Sequence, residues 1–574
     1  MQTRVRSVVG LRGRLLCLAA ACGLASSALA VPTVLDFVPS DSSGVVAVNN
    51  LGGAMGDLRA FIEASNLMEM LFDLPAVFTE IDGEAVNAGG SAAMFFTRGG
   101  VDGEPIVILP VTNYARFVTS RGGIGTGIEE IEFGGDTVFV RKVSDNFAAL
   151  CPEEDVLEDW QPSAGHRAAH VSALGARAQK AAEGADVFII GALSAMAADW
   201  RESYEGMKGM AMMFGGPEAG QAFGAIDPLV GAFLTDAQTG VVTLDFGGDG
   251  VTARLLSRFT EGSMLSGLFS GRSNTQGLLE RLPDVPFGFA TAMDTSSPGV
   301  RSIMGMLTNN MGAQAPAQVK AMVEVMNASS GGAMIMGAPT MQEITIGAGA
   351  FVRSAAYYRS NDPARLKKAL ADNIMASNGQ RTEQNGMAIT TNTTYRAEAR
   401  RIEGVSVDEW GMTTEIEGDA NDPMGMQAQM MMSTLFGSSG LGGYVAPTND
   451  GVVFTMSRNS QMFTQTLNTA KDGKGLGANA AIRQISAKLP DNRAMEMYIG
   501  VDHLLGIGAA FFGEVPPMPP IGLVAASGDG TAEIALHISP AVISQLSQLG
   551  MMFGGMGAGM DFGDFDDFDD EPAF

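Results

Sequence analysis

Four histidines, His166, His170, His503 and His537, carry all the imidazole chemistry available to this 574-residue chain. His166 and His170 stand four apart, which on a helix brings two rings to one face, as in the first half of a zinc site. Arg167, Ala168 and Ala169 fill the interval where a metalloprotease places its glutamate, so the pair reads as structural or solvent-facing. Nucleophiles are as sparse. No Gly-x-Ser-x-Gly elbow occurs, and Cys151 falls at the end of an expected strand, Ala148 to Cys151, away from the helix start that would lower its pKa. Carboxylate pairs such as Glu129-Glu130 and Glu153-Glu154-Asp155 could serve a hydrolase, but acidic residues are too frequent here for pairing to locate a site. The runs Gly123-Ile124-Gly125-Thr126-Gly127 and Gly473-Lys474-Gly475-Leu476-Gly477 lack the spacing and the Lys-Ser/Thr ending of a phosphate cradle and read as loops. No catalytic, metal or cofactor-binding residue is assigned, and an enzyme is the less favoured reading.

The residue type that stands out is methionine, 37 in all. It clusters at Met207, Met210, Met212 and Met213, at Met424, Met426, Met430, Met431 and Met432, and at Met551, Met552, Met556 and Met560. Met-Met-Phe-Gly-Gly is written twice, at 212–216 and 551–555. Thioethers are soft ligands for Cu(I), but no histidine or cysteine stands near these clusters to complete a site. Packing between helices is the first reading. An adaptable apolar binding surface formed by Met207, Met210, Met212, Met213, Met430, Met431 and Met432 is the second, suited to a lipid, a hydrophobic peptide or an envelope protein.

The elements that must position these residues begin after an expected signal peptide. Arg4, Arg6, Arg12 and Arg14 precede an apolar run from Leu15 to Leu24, and Ala28-Leu29-Ala30 offers the small-x-small pattern for cleavage between Ala30 and Val31. The expected localisation is outside the cytoplasm: periplasmic, envelope-associated or extracellular. No later run reaches the roughly 20 apolar residues of a spanning helix. Cys17 and Cys22 would leave with the signal, so Cys151 has no partner for an intramolecular disulfide. The formal charge is −27, which disfavours nucleic acid and anionic lipid as partners, since both demand clustered Lys and Arg.

A structural unit recurs along the chain. Leu-Pro-Asp, an apolar strand and a polar stop appear at Leu282-Pro283-Asp284 and Leu489-Pro490-Asp491, with a looser copy at Val38-Pro39-Ser40-Asp41. Four units are read: one from the Val45–Val48 strand, one from Val187–Ile190, one from Phe287–Met293 and one from Met495–Val501. The first two strands lead to a helix and then a hairpin, in the second unit Val241–Phe246 with Val251–Phe259 around Gly-Gly-Asp-Gly. The third unit continues through Ile344–Tyr358 into a helix, and the fourth leads to the hairpin Ile521–Ala526 with Thr531–Ile538 around Ser-Gly-Asp-Gly and then to a closing helix after Ser539-Pro540. The helix expected in the second unit covers Met196 to Met213. Asp362 and Pro363 mark a helix start. Strand-rich inserts lie at Thr137–Cys151 and Tyr395–Leu467. Short turns between strands imply antiparallel sheet, and helices that follow hairpins imply an α+β class rather than a doubly wound nucleotide fold. The expected architecture is curved sheets covered by helices in two tandem pseudo-repeated lobes, residues 31–280 and 281–548, followed by a tail at 549–574. Its Asp561–Phe574 segment sets Phe562, Phe565 and Phe568 among six aspartates and is expected to be disordered.

The run from Val241 to Asp294, with Phe259-Thr260-Glu261-Gly262-Ser263 and Leu279 to Asp284, resembles a family of exported bacterial proteins classed as a domain of unknown function. Ile108-Leu109-Pro110-Val111-Thr112 and Asp362-Pro363-Ala364-Arg365-Leu366 are similar to other stretches of that family. The resemblance spans most of residues 35–548 and implies export and repetition, with no reaction, ligand or site residue. The functional expectation is an exported, non-catalytic binding or structural protein of the bacterial cell envelope. The alternatives are a carrier of an apolar small molecule or lipid, and a hydrolase whose site cannot be located in the sequence.

Overall fold

The computed structural model describes residues 31–67, 83–96, 104–311, 316–340, 342–343, 346–384, 387–417, 433–437, 440–507 and 515–557. Twenty strands lie among them: β1 Gly44–Val48, β2 Ala92–Phe96, β3 Pro105–Pro110, β4 Ile128–Phe133, β5 Asp136–Ser144, β6 Phe147–Cys151, β7 Val187–Ala192, β8 Ala237–Gly247, β9 Gly250–Phe259 and β10 Phe287–Met293. The second ten are β11 Gly331–Gly337, β12 Arg353–Arg359, β13 Gln380–Gln384, β14 Met387–Ile402, β15 Val405–Glu417, β16 Leu441–Pro447, β17 Gly451–Thr455, β18 Arg493–Ile499, β19 Ile521–Gly528 and β20 Thr531–Ile538.

Every pairing is antiparallel, and together they make one α+β sheet. Its order is β4-β5-β6-β3-β2-β1-β7-β8-β9-β20-β19-β18-β10-β11-β12-β17-β16-β15-β14-β13. Residues 31–280 hold β1–β9 and residues 281–548 hold β10–β20, and the two series meet only at β9 and β20. That join runs from Val251 opposite Ile538 to Arg258 opposite Thr531.

Turn chemistry fixes the hairpins. In β19–β20, Asp529 and Gly530 both sit at positive φ, 54° and 70°, the geometry of a tight hairpin turn whose twist matches the strands. The β8–β9 turn is built differently: of its four residues, Gly247 to Gly250, only Gly250 has positive φ. Gly250 is needed for a second reason: a Cβ there would stand 2.4 Å from the Ile538 carbonyl of the neighbouring strand.

Two polar residues that follow strands, Asn50 after β1 and Asp362 after β12, start helices. Asn50 accepts from Gly53 N and caps Leu51–Ser65, while Asn49 donates to the Ala182 and Ala185 carbonyls at 2.7 and 2.6 Å. Asp362 accepts from Arg365 N, with Pro363 in the first turn of Pro363–Met375.

The helix expected over Met196–Met213 runs instead as Leu193–Asp236. It is not a straight rod. Tyr204 Oη donates to Asp227 at 2.6 Å, Lys208 reaches the same carboxylate at 2.7 Å, and the Trp200 and Phe233 rings stack at 5.6 Å. A straight helix would hold Trp200 and Phe233 about 50 Å apart at 1.5 Å per residue. The element therefore folds back on itself between Lys208 and Asp227 into two antiparallel arms.

Over β1, β7 and the flanking strands β2 and β3 the sheet is covered on both faces. Leu51–Ser65 packs on Val46, Val48, Met94 and Val107. Arg167–Glu183 packs on Val45, Ala47, Phe188 and Val241 from the other side. On the β10–β20 side, Ser460–Asp472 and Ala480–Ser486 cover Ala290, Ile335, Tyr357 and Val524.

Candidate functional site

Where the two strand series meet, one face of the sheet is left partly uncovered. Register places its side chains in three rows that cross six strands from β8 to β10. The first is Val242, Leu255, Ile534, Ala525, Met495 and Met293. The second is Leu244, Ala253, Leu536, Leu523, Met497 and Thr291, and the third is Phe246, Val251, Ile538, Ile521, Ile499 and Phe289. No charged residue stands in these rows and Thr291 is their one polar member. All are partly exposed. Leu255 and Ile534 at the centre are 45% and 51% exposed.

The opposite face of the same strands carries the charge, and it is the buried one. Glu533, 3% exposed, pairs with Arg177 at 2.6 Å and faces Arg254 at 3.7 Å. Arg254 also donates to the Lys488 carbonyl, and Arg258 to the carbonyls of Ser172 and Ala173. His537 Nδ1 meets Thr252 Oγ1 at 2.9 Å, both side chains buried. An antiparallel sheet with one solvated face ordinarily turns its apolar residues to the core. Here the polar set is covered and bonded, and the apolar set is left open.

Helical elements rise at the edges of the open face, and at its β8 end Phe61 of Leu51–Ser65 packs on Phe246 with ring centroids 5.7 Å apart. Leu504 of Val501–Ile507 lies over β10, where a Cβ on Gly288 would meet it at 2.7 Å. Ile543 of Pro540–Gly557 joins the cluster that takes in Phe246 and Val251. Phe233 of the folded-back helix, with Ile303 and Met306 of Pro298–Met311, packs around Phe259 at the end of β9.

On the covered side, beneath β10 and β18, lies a polar cleft of about 770 Å³. Arg493 is spent within the protein: it donates to the carbonyls of Ser486, Leu489 and Pro490, to Ser486 Oγ and to Glu496. Tyr498 donates to Glu496 at 3.2 Å, and burial pushes its phenol up to about 12. Asp294 accepts from the backbone N–H groups of Asn274 and Ser296.

A third group is a set of aspartates from three elements. Asp186, ahead of β7, accepts from Phe246 N at 2.6 Å and is 3% exposed. Burial, then the charges of Asp245 and Asp57, push it up to about 8. Asp245 and Asp57 are raised as well, burial being the first cause for each.

The residues singled out in the sequence fall into place as follows. His166 stands just before Arg167–Glu183 with its side chain on Ser163, Nε2 meeting Oγ, whereas His170 is buried against the Val38 carbonyl. Burial lowers the pKa of His170 and of His537. His503 lies 3.8 Å from Asp502. Cys151 ends β6 in the core, and burial pushes its thiol up to about 12. The Gly123–Gly127 loop turns its Ile124 and Thr126 amides onto Glu129, so the anion it holds is the chain's own carboxylate. Met207 and Met210 are exposed on the first arm of the folded-back helix. Met212 and Met213 are on the same helix, with side chains outside the described set, and Met430, Met431, Met432 and Ala30 lie outside the described residues. Val31 is buried, and its carbonyl accepts from Arg167. The open face was missed in the sequence. Its signal was present in Ala532-Glu533-Ile534-Ala535-Leu536-His537-Ile538, whose alternation names two faces without saying which one is covered.

No protein-family model, curated protein or solved structure matches this chain. Among the described residues no helix is long and apolar enough to cross a membrane.

Proposed function

We propose that this is an exported, non-catalytic binding protein of the bacterial cell envelope, whose working surface is the open apolar face at the β9–β20 join. The single observation that carries the reading is the inversion across that join, with bonded charges under helices and three apolar rows facing out. An uncovered patch of this kind on a protein marks a site where something else binds. The perturbed thiol and phenols also favour binding over nucleophilic chemistry, since Cys151 and Tyr498 are shifted away from ionisation.

The architecture belongs to the same proposal. We read four strand–helix–hairpin units, β1–β3, β7–β9, β10–β12 and β18–β20, arranged as two pseudo-repeated lobes. The pairings support it: first strands meet as β1–β7 and β10–β18, and last strands meet as β9–β20.

The test is native mass spectrometry of residues 31–574 isolated from a bacterial envelope, comparing the wild-type chain with Leu255→Glu/Ile534→Glu. A stoichiometric apolar ligand or protein lost from the variant supports the reading. An empty wild-type chain, with the same result for the variant, overturns it.

A further inference from the structure

We infer that the occupant of the open face is the hydrocarbon chain of a neutral or zwitterionic lipid, an inference that rests on the binding-face reading above. Three features of the face select this chemistry over a flat protein partner. The first is relief: Leu504 stands over one end, Phe233 with Ile303 and Met306 over another, and Ile543 along a third side. A broad rigid surface cannot reach the floor between such walls, whereas a narrow chain can.

The second is the pattern of the floor. While Leu244, Phe246 and Val251 of the other two rows pack against the cluster under Leu51–Ser65, the first row, from Val242 to Met293, runs across the strands from β8 to β10. Its five spacings of about 4.8 Å give an apolar track of about 24 Å. That is the reach of a long extended acyl chain. The floor's side chains offer no hydrogen-bonding group apart from Thr291, so an extended peptide laid along a row would leave its amides unpaired at a cost of roughly 1–3 kcal/mol for each. Hydrocarbon loses nothing there. The β18 and β10 end of the track is built from Met495, Met497 and Met293, unbranched thioethers that adapt to an irregular chain.

The third is charge. The chain carries a formal charge of −27, and an anionic headgroup would be held against that field at every approach. A headgroup without net charge carries no such penalty.

The experiment uses the full chain from residue 31 and vesicles of phosphatidylcholine containing pyrene-acyl phosphatidylcholine. Wild type is expected to draw the probe into a soluble complex, with loss of excimer emission, and to draw pyrene-acyl phosphatidylglycerol at least fivefold less well. Leu255→Glu/Ile534→Glu is expected to lose at least tenfold in extraction, while Ile124→Glu, at an 80% exposed site in a loop, keeps it. A diazirine-bearing acyl phosphatidylcholine crosslinked to wild type should label peptides of β9, β19 and β20, a readout that does not depend on any variant folding. Absence of extraction by wild type, equal extraction by a folded double variant, or labelling confined to other peptides overturns the lipid inference. If wild type takes no lipid but the double variant loses a bound protein or a dimer, the lipid inference fails and the binding face stands. If neither changes, both fall.

Discussion

Leu255 and Ile534 face each other across the β9–β20 pairing, and each leaves about half of its surface in solvent at the centre of a twenty-stranded sheet. Their sequence neighbours, Leu256 and Glu533, point through the sheet and are buried. A boundary between folding and function thus runs between consecutive residues. Leu256→Ala removes packed core atoms and should cost about 2–5 kcal/mol, whereas Leu255→Ala should cost under about 1 kcal/mol. Urea denaturation of the two variants measures the difference. Equal losses would show that Leu255 is packed and that the face is not open.

Glu533 comes from β20 and Arg177 from a helix packed on the other strand series, so their 2.6 Å pair ties the two halves of the sheet together. Glu533→Ala strands buried guanidinium charge and should destabilise by about 3–5 kcal/mol. Arg177→Met/Glu533→Leu removes both charges and should recover most of that loss, because the desolvation cost vanishes with the attraction. Thermal melts of the single and double variants read this directly.

How much of this was legible beforehand depends on what a residue has to decide. Asp362-Pro363 could only start a helix, Asp529-Gly530 could only turn, and both positions were found. Cys151 is read at a strand end and the His166/His170 pair as structural or solvent-facing; the structure buries the thiol at the end of β6 and bonds His170 to the Val38 carbonyl. What could not be read was sidedness. In Thr531–Ile538 the even positions are Ala, Ile, Leu and Ile and the odd ones include Glu and His, and a period of two assigns the apolar set to the core by default. Arg177, 356 residues away from Glu533, reverses that choice. The folded-back helix was hidden for a related reason: only the distant contacts of Trp200 and Tyr204 show that the chain returns.

Asp186 gives the protein a pH dependence of predictable sign. Its folded pKa, about 8, lies above that of an exposed aspartate, so its stabilising contribution is complete in acid, below the unfolded value near 4. It is lost as pH rises from there through 8, when the buried carboxyl must ionise beside Asp245 and Asp57. Asp186→Asn keeps an acceptor for Phe246 N and cannot ionise. The variant should gain stability over wild type as pH goes from 5 to 8, by about 2–4 kcal/mol at the upper end. Melting curves across that range test it, and parallel curves for the two proteins would contradict the assignment.

The reversal in Leu193–Asp236 can be tested by crosslinking across its two arms. With the Trp200 and Phe233 rings 5.6 Å apart, Trp200→Cys/Phe233→Cys should be bridged by a short bis-maleimide within one chain, Cys151 being buried and, with its thiol pushed up to about 12, unreactive at pH 7. Asp227→Ala removes the carboxylate that holds Tyr204 and Lys208 from the other arm, and should slow the bridging by letting the arms part. A straight helix would give no bridge in either background, since the two positions would then stand about 50 Å apart. Because Phe233 also packs on Phe259 at the end of β9, opening the arms removes one wall of the apolar face, so the same Asp227→Ala variant should release a bound acyl probe faster than wild type.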